Sequence, residues 1–153
     1  MAFRRLKDRN EIPAEFVPLA RRMANDDPLV FEVASQAVND WLERFPRIAR
    51  AAGQSDDPAT RSTRMLSEAY MAASATQSAV RAGDHDPNPL FNFQFGIAQE
   101  QTAMGVSTEW VVALMQIRCF AAGYMLGALG HRESCDELGR LFNAFVEHVE
   151  RNT

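Results

Sequence analysis

Cysteine is scarce in this sequence, with two in 153 residues. Cys119 and Cys135 cannot build a disulfide framework, and two lone thiols fit a reducing cytoplasm better than a secreted domain. Positive charge is not in excess either. Sixteen basic residues stand against 20 acidic ones, for a net charge of −4. No basic field would draw phosphate, which argues against a nucleic-acid partner. Arginine greatly outnumbers lysine, but the arginines are scattered. Residues 1–13, MAFRRLKDRNEIP, carry charge with no apolar stretch behind it, so no signal peptide is expected. No strand-like alternation, internal repeat or low-complexity tract occurs.

Catalytic patterns are missing as well. No glycine loop would cradle phosphate, and no Ser-His-Asp or Cys-His arrangement would activate a nucleophile. The paired carboxylates Asp26-Asp27 and Asp56-Asp57 sit at helix starts. The three histidines, His85, His131 and His148, share no helix face with another ligand at metal spacing. Asp84, His85 and Asp86 would offer a metal only local ligands. The expectation is a non-enzyme without a metal.

What is present is helical periodicity. At 46% apolar and 24% charged residues, the chain has the composition of an ordinary globular domain, and its length suits one domain with its own core. Residues 1–11 read as a polar extension and residues 12–153 as the domain. Polar-residue-plus-proline pairs at Asp27-Pro28, Asp57-Pro58 and Asn88-Pro89 mark helix starts. A first helix is expected over Pro13 to Ala24, with Pro18 a local flaw. Val30, Val33, Ala34, Ala37, Val38, Trp41 and Leu42 form the stripe of a second, ended or bent at Pro46, with a short turn to follow. The third, rich in Ala, Ser and Thr, runs to about Ala82. Its small side chains suit a close helix crossing or a flat ligand. Ser134 and Glu137 have the spacing of a capping box for the last helix. The class is all-α, about six helices.

The most distinctive stretch is Phe91 to Leu129. Its first helix ends at Gly105, and Ser107 caps the next. That second helix is apolar almost all round and long enough to consider as a membrane span. Gln116 and Arg118 interrupt it, and a central Arg costs a lone span roughly 2.5 kcal/mol or more, so a buried helix is expected. Arg118 then needs an acidic partner, at a surface or a subunit interface. Gly123 and Gly127, four residues apart, would let a partner helix approach.

Ile97-Ala98, Gly105-Val106 and Glu109-Trp110 resemble the segment joining the F and G helices of bacterial globin-coupled sensors. The segment WLERFPRIARAAG is also similar to the B and C region of that family. Ordering and spacing agree over roughly residues 12–150, and residue identities concentrate in the fourteen positions from Ile97 to Trp110. The resemblance implies a globin-like bundle and a dimer formed by the G helix and the last helix. One departure stands out. The haem-binding histidine of the family falls where this chain has Gln101, and neighbouring Gln99 and Glu100 do not replace it. A neutral amide is a poor haem-iron ligand.

The chain is therefore similar to haem-free relatives, such as the sensory N-terminal domains of stressosome proteins and sporulation regulators. These imply an apolar ligand, for instance a fatty acid, in the vacated pocket. Its candidate lining is Phe91, Phe95, Gln101, Val106 and Trp110, with Phe93 and Phe120 nearby. The candidate dimer interface is Arg118, Ala122, Gly123, Leu126, Gly127, Phe142 and Phe145. The expectation is a haem-free, homodimeric, cytoplasmic sensory domain acting through a downstream partner or output domain. The alternatives are a haem-binding sensor using His85 or a shifted register, and a ligand-free helical interaction scaffold.

Overall fold

Apolar residues on every side of one helix leave it a single stable place, the middle of the bundle. The computed structural model, which describes residues 17–53 and 58–151, puts the 108–128 segment there. The expected N-terminal extension, the helix start at Pro13 and the Asp57 cap lie outside the described residues. The described elements are α1 (Val17–Asp26), α2 (Pro28–Arg44), α3 (Pro46–Gly53), α4 (Pro58–Arg81), α5 (Pro87–Ala103), α6 (Thr108–Ala128) and α7 (Arg132–Arg151). The fold is all-α, a single compact domain with no strand among the described residues.

α6 packs against α2, α3, α4, α5 and α7. Leu114, Met115, Ile117, Ala121, Ala122, Met125 and Leu126 on it are all completely buried. Thr108–Ala128 is long and apolar enough to cross a membrane, yet most of it is covered by the chain's own helices. Its most extensive partner is α4. There Ala69, Ala72 and Ala73 let the two backbones approach, with Met65 and Leu66 beside them in the same core. The small-residue face of α4 is thus filled by helix packing rather than left for a flat ligand. Burying each large apolar side chain contributes roughly 1.5–3 kcal/mol.

Local chemistry sets the helix ends. Asp27, in extended conformation, accepts from the Leu29 amide at 3.0 Å, with Pro28 at the first helical position. Phe45 closes α2 through its amide to the Trp41 carbonyl and opens α3 by accepting from the Ala49 amide. The segment after Pro46 is therefore a full helix rather than a turn. Pro18 falls in the first turn of described α1, where a missing amide costs little. α5 begins two residues earlier than Asn88-Pro89 suggests: Asp86 is the cap and Pro87 the first helical residue. Gly105 ends α5 with φ +83, and the Val106 amide reaches back to the Gln101 carbonyl at 3.1 Å. Gly130 ends α6 the same way, with the His131 amide on the Leu126 carbonyl at 2.8 Å. α7 starts at Arg132, so Ser134 and Glu137 lie inside it and form no capping box. Ser107 occupies the N-cap of α6 without a side-chain bond to the helix amides.

Candidate functional site

Three helices bring polar side chains together in the apolar interior. Glu68 comes from α4, Gln94 and Gln101 from α5, and Arg118 from α6. Arg118 is 1% exposed and Glu68 7%. Arg118 Nη1 donates to Glu68 Oε2 at 2.9 Å. Gln101 Nε2 donates to the other carboxylate oxygen, Oε1, at 3.0 Å. Arg118 Nη2 donates to the Gln94 backbone carbonyl at 3.3 Å. One carboxylate thus holds a cation and an amide at once, and the cation reaches on to α5. Gln94 and Gln101, seven residues apart, lie on one face of α5. Some polar atoms of the cluster have no hydrogen-bond partner among the described residues: Arg118 Nε, both amide atoms of Gln94, and Gln101 Oε1. A second buried contact lies on the same central helix, where Trp41 Nε1 donates to Gln116 Oε1.

The five pocket candidates do not converge. Gln101 points inward to Glu68, and Trp110 belongs to the main core with α2 and α4. Phe91 and Phe95 stack at 6.3 Å and meet the edge of Phe145 on α7. Val106 packs between this aromatic group and the core. Of the five, Phe95 lines an open groove of about 290 Å³ between α5, α6 and α7, with Ala98, Val111, Val112, Phe145 and Val149. Phe93 faces outward, 57% exposed, and Phe120 stacks on Phe45 beneath the Arg44 guanidinium.

Most of the interface candidates pack against the chain's own helices. Arg118 finds its acid inside its own chain, because α4 lies across that face of α6 and presents Glu68. Ala122 and Leu126 are completely buried against Leu90 and Leu138. Gly123 faces α7 rather than a second copy: a methyl group there would meet Cys135 Sγ at 3.5 Å. Phe142, on α7, is buried against Ala98 of α5 and Val111, Met115 and Cys119 of α6, and Phe145 is half-buried. Gly127 remains exposed. The apolar surplus of α6 is thus consumed by five surrounding helices.

Burial pushes the Cys119 thiol up to about 12, against the opposing charge of Arg118. Burial also raises Cys135, and Asp136 adds to the effect. Tyr124 is raised by burial and by its hydrogen bond to Asp40. Cys119, Gly123, Tyr124, Cys135 and Phe142 line a second groove of about 250 Å³ between α2, α6 and α7.

Glu68 and Gln94 escape the sequence reading because neither belongs to a motif. The only signal is Arg118, a cation in an apolar helix that demands an acid. The pairing of His85 with His131 is equally invisible, since 46 positions separate them. Their rings lie 4.4 Å apart where the α4–α5 and α6–α7 turns meet. Among the described residues no group of three or more His, Cys, Asp or Glu is arranged to hold a metal.

Comparison with known proteins yields no matching family model, no matching curated protein and no matching solved structure.

Proposed function

We propose that this chain is a haem-free, globin-like sensory domain that works as a homodimer and passes a signal to a downstream partner. The observation that carries this reading is the bond from Gln101 to Glu68. Gln101 stands where the resembled sensors hold their haem ligand, and here the residue serves an internal ion pair instead. A neutral amide is a weak iron ligand, and this one has its nitrogen committed to a carboxylate. His85 is exposed, away from the apolar interior that a haem would occupy.

The ligand of this reading is an apolar molecule such as a fatty acid, seated in the groove of Phe95, Ala98, Val111, Val112, Phe145 and Val149. At about 290 Å³ that groove approaches the lower end of small-molecule sites. A chain lying there touches α5, α6 and α7 together. It would favour whichever arrangement of α7 offers it more contact, which is all that ligand-driven signalling requires. With α6 enclosed, the partner copy meets α7, on the side bearing exposed Ala144 and His148.

An interaction scaffold without ligand is the second reading, favoured by the separation of Gln101 and Trp110 from the groove. Haemin titration followed by absorbance, with native mass spectrometry of the purified chain, tests the choice. No Soret band and a co-purifying lipid lost on Val112→Arg support the ligand-binding sensor. A sharp Soret band at one haem per chain overturns the haem-free reading. Absence of any lipid, with dimers intact, supports the scaffold. Sedimentation tests the dimer: Ala144→Arg should give monomers, and a monomeric wild type would refute it.

A further inference from the structure

We propose that the interior between α4, α5 and α6 binds ordered water, held by the amides of Gln94 and Gln101 and the guanidinium of Arg118. These three side chains are 1%, 6% and 1% exposed. Their bonds to protein leave a defined remainder. Arg118 spends Nη1 on Glu68 and Nη2 on the Gln94 carbonyl, so Nε is left over. Glu68 fixes the orientation of the Gln101 amide, because only its nitrogen can donate to a carboxylate. Gln101 Oε1 must then find another donor, and none is present among the described residues. Neither amide atom of Gln94 is bonded there. Buried polar atoms of a folded protein are nearly always bonded, to protein or to water.

The remainder is mixed in sign, and that selects the ligand. Gln94 Oε1 and Gln101 Oε1 call for donors, while Gln94 Nε2 and Arg118 Nε call for acceptors. An anion would face two amide oxygens and the Glu68 carboxylate. A cation would face the Arg118 guanidinium. An apolar molecule would satisfy none of the four atoms. Water donates and accepts at once, so it serves all of them. Gln94 and Gln101 stand about 10 Å apart along α5, so two water positions are expected, one beside each amide. The packing around the cluster agrees. α6 packs closely on both α4 and α5, while α4 and α5 scarcely approach each other. Side chains such as Gln101 and Glu68, rather than backbone contact, bridge those two helices. The groove holding Phe95 and Ala98 uses other α5 residues, so this site does not depend on the proposed sensory role.

The test locates and counts long-lived water in the folded chain. NMR cross-relaxation with the solvent should show transfer to the side-chain N–H groups of Gln94 and to Arg118 Nε–H, with the sign of a water held longer than the protein tumbles. Oxygen-17 relaxation dispersion counts such waters. Gln94→Met keeps the side-chain length without the amide and should lose about one of them. Gln99→Met, on the exposed side of α5, should keep the wild-type count. Circular dichroism checks that both variants are folded. Absence of water transfer at Gln94, or an unchanged count in folded Gln94→Met, overturns the proposal. If Gln94→Met does not fold, transfer in the wild type decides alone.

Discussion

Arg118 Nη1 lies 2.9 Å from Glu68 Oε2 in a part of the molecule where almost nothing else is charged. The pair joins α6 to α4, and Gln101 adds α5 through the second carboxylate oxygen. Removing one partner leaves the other buried and uncompensated. Arg118→Met or Glu68→Leu should each cost about 3–5 kcal/mol of stability. The double variant should recover much of that loss, because neither charge then remains. Urea denaturation of the three variants measures it, and additive losses would count against a coupled pair.

Asp27 caps α2 and also accepts from Gln77 Nε2 at 2.8 Å, with Arg81 3.6 Å away. The Gln77 amide, then the Leu29 amide and the Arg81 charge, hold its carboxyl below the usual range, against an opposing effect of desolvation. A depressed carboxylate contributes stability above its unfolded pKa and loses it as pH falls through the folded one. Asp27→Ala should therefore cost about 1 kcal/mol near neutrality. The difference from wild type should shrink below about pH 4. Thermal melts at pH 7 and pH 3 give both numbers.

The two thiols should differ in reactivity. Cys119 is enclosed, with its thiol pushed up to about 12, while Cys135 is half-buried at the edge of a groove. At pH 8 a disulfide reagent should label Cys135 slowly and Cys119 only upon unfolding. Mass spectrometry of the labelled peptides separates them. Rapid labelling of Cys119 in the folded chain would show that α7 opens readily.

Gly105 turns the chain between α5 and α6 with φ +83, and a side chain there would meet no neighbour within 4 Å. The objection to substitution is conformational rather than steric. Gly105→Ala should cost about 1 kcal/mol, and Gly105→Asn less, since Asn tolerates this region better. Chemical denaturation ranks the two against wild type.

The chain by itself determined the helices and most of their boundaries. Proline after a polar residue, glycine after an apolar turn and the stripe ending at Leu42 are local signals read through local geometry. The central place of α6 also follows from sequence, because a helix apolar on every face has no solvent-tolerant side. Sequence cannot decide what covers each face. Whether Gly123 met another copy or its own α7, and whether Arg118 found an acid at an interface or inside, depended on which helices the turns bring back across α6. Tertiary packing resolved both: α7 returns with Cys135 over Gly123, and α4 returns with Glu68 opposite Arg118. The starts of α5 and α7 shifted for a similar reason. Asp86-Pro87 and Asn88-Pro89 are chemically alike, and geometry alone selected the first. The buried polar cluster and the histidine pair belong wholly to the tertiary structure. Each joins residues far apart in sequence, and no single helix carries a motif for them.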